Sequence, residues 1–102
     1  MINEIKELID YLNDKYGDEN LQYKVRETKK YYKITHTSYG QTSSYAFIVK
    51  EDIINRALGH ARAGAVLKPA GWQTPAKHER GYLFNKSTWD VCFEKYSVAY
   101  LR

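Results

Sequence analysis

The chain has 102 residues, 43% of them hydrophobic, with a formal net charge of +4 and a single cysteine, Cys92. This length and apolar content predict one folded domain spanning residues 1–102 and exclude a disordered chain. One cysteine excludes an intrachain disulfide. The chain also shows no signal-like or membrane-spanning apolar run, so we expect a cytoplasmic protein without a membrane partner.

Residues 3–16 have the spacing of an amphipathic helix. Apolar side chains recur every three or four positions, as Ile2, Ile5, Leu8, Ile9 and Leu12. Acidic side chains fall between them and give the predicted helix an acidic outer face, formed by Glu4, Glu7, Asp10 and Asp14. Gly17 is a natural end for this helix.

The apolar period changes to two after Leu21, which predicts strands. Two alternating segments flank the polar turn "ETKK" and predict a hairpin whose outer face carries Lys24, Arg26 and Lys33. The stretch "SYGQTS" predicts a second turn, and "SYAFIVK" a third strand.

Helical spacing returns in "EDIINRALGHARAG", which predicts a second helix at about residues 51–63 with Arg56 and Arg62 projecting from it. Further strands are predicted for "AVLK", "GYLF", "WDVCFEKY" and "SVAYLR". The predicted fold is therefore α+β: a mostly antiparallel sheet of about five strands, with helices packed against it.

Charge is distributed unevenly along the chain. Residues 1–20 carry six acids and two lysines, whereas residues 24–33 and 55–81 each carry five basic residues and one acid. Clustered Lys and Arg attract polyanions. The alternative interpretation is that these segments are solvated surfaces whose charge only keeps the protein soluble.

The residues that usually carry catalysis or bind metals form no familiar pattern. His36, His60, His78 and Cys92 lack metal-ligand spacing, so we expect no metal and no cofactor. Strand alternation would place Cys92 beside Asp90 and Glu94, whose charges would raise the thiol pKa and leave it inert. We therefore expect a protein that is not an enzyme.

The stretch "WQTPAKHERG", residues 72–81, combines an aromatic side chain with basic ones and predicts a binding loop. Trp72 can stack on a base while Lys and Arg neutralise phosphates. In the alternative interpretation the loop is structural and Trp72 belongs to the core. The predicted nucleic-acid-binding residues are Lys68, Trp72, Lys77, His78, Arg80, Lys24, Arg26, Lys33, Arg56 and Arg62.

Single-stranded RNA is the favoured partner, because the chain lacks the motifs that enter a duplex groove, and because sheets and aromatic loops suit unstacked bases. Two alternatives stay open. The protein could bind and inhibit another protein, an enzyme or a defence factor, through its acidic helix or a tyrosine-rich face. The same basic and aromatic groups could also hold a small nucleotide.

The segments "VLKPAGWQTPAKHERGYLF" and "KYSVAYLR" resemble a group of small proteins encoded by tailed bacteriophages. The resemblance rests on a W-x-x-P-A-K-x-x-R-G element (Trp72 to Gly81), on Phe47, Leu67 and Lys68, and on the ending Ala99 to Arg102. It implies a phage accessory protein that acts in the host cytoplasm, in a group with some RNA-binding members. The predicted helix at 51–63 lies where that group has a tight turn.

Overall fold

One antiparallel sheet of five strands organises the chain. The structure, a computed structural model, describes residues 1–55, 59–72 and 75–98, with the backbone alone at residues 54, 55, 59, 60, 77 and 78. The sheet order is β1-β2-β3-β6-β7, and β4 and β5 form a separate hairpin. The elements are α1 (Ile2–Tyr16), β1 (Leu21–Glu27), β2 (Tyr31–Ser38), β3 (Gln41–Val49), β4 (Ile53–Asn55), β5 (Gly59–Ala61), β6 (Ala65–Pro69), β7 (Pro75–Tyr82) and α2 (Trp89–Cys92). The predicted α+β class is confirmed.

Helix α1 matches the predicted amphipathic helix. It buries Ile5, Leu8 and Leu12 against the sheet. The backbone leaves helical geometry at Gly17, where a Cβ atom would lie 2.5 Å from the carbonyl oxygen of Asn13. The predicted end of the helix is therefore confirmed, and close approach of the backbone explains the glycine.

Strands β1, β2 and β3 form the predicted meander. β1 pairs with β2 and β2 with β3, both antiparallel. Tyr39 and Gly40 connect β2 to β3 and both have positive φ, 50° and 80°. Two such residues match the twist of a tight hairpin, and a glycine carries the second without strain.

The two faces of the sheet bury separate apolar cores. The first core lies under α1 and the C-terminal segment and includes Ile34, Tyr45, Ile48 and Phe93. The second core, on the opposite face, comprises Phe47, Val49, Ala65 and Leu67, with Ile53 and Ala61 of the β4–β5 hairpin packed against it. From Ala46 to Val49, consecutive residues of β3 therefore face different cores, as strand alternation requires.

The predicted helix at 51–63 is wrong. Ile53–Asn55 and Gly59–Ala61 pair as antiparallel strands, and Ile53 lies opposite Ala61. Ile53 and Ala61, two apolar residues of the predicted helical stripe, pack on the second core from this hairpin, and tertiary packing overrides the local preference. Residues 56–58, including Arg56, lie outside the described residues.

The predicted loop at 72–81 is mostly strand. Residues 75–82 form β7, the edge strand that pairs with β6. An edge strand tolerates polar side chains, and a proline such as Pro75 is acceptable at its first residue. The strand predicted for "WDVCFEKY" is also wrong, because Trp89–Cys92 form a short helix. The last predicted strand is described only to Val98, which bridges Phe93.

Three tyrosines attach the C-terminal segment to the rest of the fold. The hydroxyl of Tyr16 donates to the carbonyl of Phe93 at 3.1 Å. The hydroxyls of Tyr45 and Tyr23 donate to the next two carbonyls, those of Glu94 and Lys95. α1, β1 and β3 thus each contribute one tyrosine to three consecutive main-chain acceptors.

Candidate nucleic-acid interface

The face of the sheet opposite α1 carries several of the predicted binding residues. Lys24 and Arg26 are exposed on β1, and Arg26 pairs across the strands with Lys33 of β2. Lys33 in turn pairs with Phe47 of the second core. The β4–β5 hairpin packs on the second core, where Trp72 also lies near Lys33. We call Lys24, Arg26, Lys33 and Trp72 the basic face.

Lys33 is buried, contrary to the prediction that it lies on an exposed surface. Only 1% of the residue is accessible, because the indole of Trp72 covers its ammonium group. The Nζ atom lies 3.4 Å from the centroid of the Trp72 ring and 5.8 Å from that of Phe47. Among the described residues this ammonium has no hydrogen-bond partner. Burial, and to a smaller extent the charge of Arg26, lower the pKa of Lys33.

Trp72 belongs to neither buried core. It is 41% exposed, and its carbonyl oxygen accepts a 2.8 Å hydrogen bond from the Ser44 hydroxyl. The backbone of Trp72 is therefore tied to β3, while part of its indole faces solvent. One cation already lies against the ring, and an aromatic ligand can reach the accessible remainder.

A cleft of about 260 Å³ extends the basic face toward the turn between β2 and β3. Lys24, Gln22, Thr37 and Tyr39 are among its lining residues. Tyr39 is 79% exposed, so its ring is available for stacking. The sequence prediction missed this residue. The signal was a tyrosine next to a turn glycine, where a side chain cannot reach the core.

The remaining predicted residues lie elsewhere. Arg62 makes two hydrogen bonds to Glu79, at 2.9 and 2.8 Å, and stacks over the Tyr82 ring, so its charge is neutralised. Lys68 reaches the first-core side, where Nζ donates to the Val98 carbonyl at 2.9 Å. Arg62 and Lys68 are therefore not part of the basic face. Lys68 was predicted to bind with Trp72 because the two residues are close in the sequence.

Arg80 is half-buried, and its charge acts on the thiol of Cys92 in the first core. It therefore also lies away from the basic face. The side chains of Lys77 and His78 lie outside the described part of the structure, as does Arg56. Four of the ten predicted residues, Lys24, Arg26, Lys33 and Trp72, come together on one face.

Cys92 is buried beneath β7. Burial raises its pKa to about 12, and Arg80 offsets this only in part. A thiol in this environment stays protonated and unreactive at neutral pH. The physical reason differs from the predicted one, since desolvation and not a pair of neighbouring carboxylates has the largest effect. Among the residues that the structure describes, no three His, Cys, Asp or Glu side chains converge as metal ligands.

Two of the four acids of α1 already have cationic partners. Glu4 pairs with the N-terminal amine at 3.1 Å, and Glu7 pairs with Lys86. Asp10 and Asp14 are exposed. The acidic face of α1 is therefore narrower than the sequence suggested. Within the described part of the chain, no helix is long and apolar enough to cross a membrane.

These features define a small α+β protein with a five-stranded antiparallel sheet and a basic face that includes the partly exposed Trp72. The chain belongs to DUF7717, a family of unknown function whose model matches residues 2–100. It matched none of the curated proteins and none of the solved structures with which it was compared.

Proposed function

We propose that this protein is a nonenzymatic phage accessory protein that binds single-stranded nucleic acid, RNA in preference to DNA, on its basic face. The observation that carries the proposal is the position of Trp72, whose partly exposed indole lies on the same face as Lys24 and Arg26. A stacking ring beside cations is the arrangement that single-strand binders use. The phage assignment rests on the sequence resemblance described above.

The interface that we propose lies on a face of the sheet, whereas the sequence pattern indicated the loop predicted at residues 72–81. From Gln22 to Arg26 the strand spans about 13 Å, at roughly 3.3 Å per residue. Tyr39 lies toward one end of this track, and Trp72 lies beside Lys33, the cross-strand partner of Arg26. Lys24 and Arg26 would neutralise phosphates between two stacked bases.

The test is fluorescence anisotropy with labelled single-stranded RNA, single-stranded DNA and duplex DNA in a salt series. We expect the wild-type protein to bind the single strands in preference to duplex, with affinity that falls steeply with salt. The double variant Lys24→Ala/Arg26→Ala loses two phosphate contacts, so the slope of log affinity against log salt should decrease by about 1.4.

The matched control is Lys6→Ala/Lys95→Ala, which removes the same charge from exposed positions away from the basic face. Its salt slope should equal that of the wild type. Equal losses in both double variants would mean that net charge alone drives binding, and the interface assignment would fail. No binding at low salt would overturn the proposal and favour a host-protein partner, to be sought with Asp10→Asn/Asp14→Asn as the comparison in pull-downs.

A further inference from the structure

Within the part of the chain that the structure describes, the buried ammonium of Lys33 has no counter-ion. Buried cations in proteins are normally paired with carboxylates, because an isolated charge in a poorly solvated site is costly. The ammonium of Lys33 lies over the rings of Trp72 and Phe47 and, among the described residues, donates to no carboxylate. The cation–π contact with Trp72 offsets only part of this cost.

A second cation faces Lys33 directly. Arg26 occupies the cross-strand position opposite Lys33, where like charges destabilise a sheet. The nearby acids are engaged elsewhere: Glu27 at the end of β1 binds Lys50 at 2.8 Å, and Glu79 on the far edge of the same face binds Arg62. Two positive charges therefore adjoin each other, and none of the described residues supplies an anion that balances them.

We propose that Lys33 and Arg26 form a subsite for a terminal phosphate, the phosphomonoester at the end of a nucleotide chain or of a mononucleotide. This inference rests on the proposed function and specifies the part of the ligand that the site selects. A phosphomonoester carries a charge of about −1.5 to −2 at neutral pH, whereas an internal phosphodiester carries a single charge. A pair of adjacent cations is matched by the former.

Trp72 controls access to this subsite. The Ser44 hydroxyl donates to the Trp72 carbonyl at 2.8 Å and ties this backbone to β3. Rotation of the Trp72 side chain would therefore uncover Nζ of Lys33 while the backbone hydrogen bond stays in place. When the indole of Trp72 rotates, it loses its contact with the Lys33 ammonium. The base attached to the incoming phosphate then stacks on the indole in place of that contact. Phosphate and base thus replace the two contacts that the Lys33–Trp72 pair makes in the free protein.

The experiment compares one RNA oligonucleotide carrying a 5′-phosphate, a 3′-phosphate or hydroxyl ends, together with AMP and adenosine as competitors. In the wild-type protein an end phosphate should strengthen binding by about 10- to 100-fold, the effect of a hydrogen bond to a charged group. Lys33→Met should abolish this preference, so that phosphate-ended and hydroxyl-ended strands bind the variant with equal affinity. Lys24→Met, which removes an exposed charge from the same face, should weaken all strands and keep the preference.

The outcomes separate this inference from the proposed function. Equal affinity for phosphate-ended and hydroxyl-ended strands would overturn the subsite and leave strand binding intact. AMP binding that depends on Lys33, with no binding of any oligonucleotide, would support the subsite and overturn the proposed function. Absence of both would overturn both.

Tryptophan fluorescence gives a second measurement. Displacement of the indole from Lys33 by AMP should change Trp72 emission in the wild-type protein, and the change should be absent from Trp72→Phe, where Trp89 still reports on the core. Inorganic phosphate alone serves as the probe for the anion without the base. Emission that stays constant while AMP binds would show that Trp72 does not move, against the proposed access.

Discussion

At the scale of single residues, Lys33 departs furthest from what its surroundings favour. Its position in β2 is as buried as those of the apolar residues beside it, yet it carries an ammonium group covered by Trp72. Replacing buried charged groups with apolar side chains of similar size is often neutral or stabilising. Burial of the Lys33 charge is therefore expected to lower the stability of the fold.

We expect Lys33→Met to raise the free energy of unfolding by about 1 kcal/mol or more, because the variant no longer desolvates a charge. Urea denaturation at neutral pH measures this free energy. Lys24→Met, which replaces an exposed lysine, is the control and should change the free energy of unfolding little. The pKa of Lys33 is lowered in the folded state, so the unfolded chain binds more protons in the pH range between that lowered pKa and 10.5. The gap between wild type and Lys33→Met should therefore narrow as the pH rises toward 10.5. A less stable variant would show that the cation–π contact outweighs the desolvation.

His36 is a second buried ionisable residue, on the opposite face of the sheet. Its Nε2 lies 3.0 Å from the Ser43 hydroxyl, and aromatic rings of Tyr23, Tyr45 and Tyr96 surround it at centroid distances of 6.0, 5.7 and 6.3 Å. Burial lowers the pKa of His36. The folded protein therefore resists protonation at a pH where the unfolded chain accepts a proton.

This predicts a loss of stability on acidification. The contribution of neutral His36 is fully present above its ordinary pKa of 6.5 and declines as the pH falls from there through the lower folded-state pKa. Thermal unfolding of the wild type between pH 7.5 and 5 should show a larger fall in Tm than His36→Phe, which keeps an aromatic ring but cannot be protonated. Parallel curves for the two proteins would contradict this.

At the scale of elements, the edge strand β1 is protected by a side chain of α1. The carboxamide of Asn13 accepts from the Tyr23 N–H at 2.9 Å and donates to the Tyr23 carbonyl at 3.1 Å. Asn13 thus supplies both hydrogen bonds that a neighbouring strand would make at this position. An exposed strand edge otherwise invites pairing with another chain.

Asn13→Ala should lower the free energy of unfolding by about 1–3 kcal/mol, the effect of leaving a partly buried donor and acceptor unpaired. Chemical denaturation measures this, and Asn3→Ala is the control, since Asn3 is an exposed residue of the same helix. We also expect a greater tendency to self-associate, visible in sedimentation at high concentration. A variant as stable as Asn3→Ala would show that water replaces the carboxamide without loss.

At the level of secondary structure, the local apolar pattern correctly predicted the elements that follow their own sequence preferences. It failed where contacts with distant segments determine the structure. α1 and the meander have an unambiguous apolar period, so residues 3–16 and the first three strands were predictable. Residues 51–63 satisfy a helical and a hairpin pattern equally, and only the second core selects the hairpin. β7 has no apolar period and becomes a strand because β6 offers it an open edge.

The same limit applies to the candidate site. Strand alternation correctly placed Lys24 and Arg26 on one exposed face, and it also placed Lys33 there. Strand alternation predicts on which face of the sheet a side chain lies, but it does not predict how deeply that side chain is buried. Trp72, 39 positions further along the chain, covers Lys33, and no local feature of either segment predicts their contact.

At the scale of the whole molecule, the two faces of the sheet have different tasks. The face under α1 holds the larger core and the tyrosine hydrogen bonds to the C-terminal segment. The opposite face has a smaller core, covered by the β4–β5 hairpin, and leaves the β1–β2 side open with its exposed cations. Stability and the proposed binding are thus separated, so variants of Lys24 and Arg26 leave the core intact.

The three tyrosine hydrogen bonds to the C-terminal segment affect which residues can vary in evolution. All three acceptors are main-chain carbonyls, those of Phe93, Glu94 and Lys95, and every residue type provides one. The exposed side chains of Glu94 and Lys95 can therefore drift in identity while the segment keeps its place. The three hydrogen bonds depend on the identity of the donors, so among homologues Tyr16, Tyr23 and Tyr45 should vary less than Glu94 and Lys95.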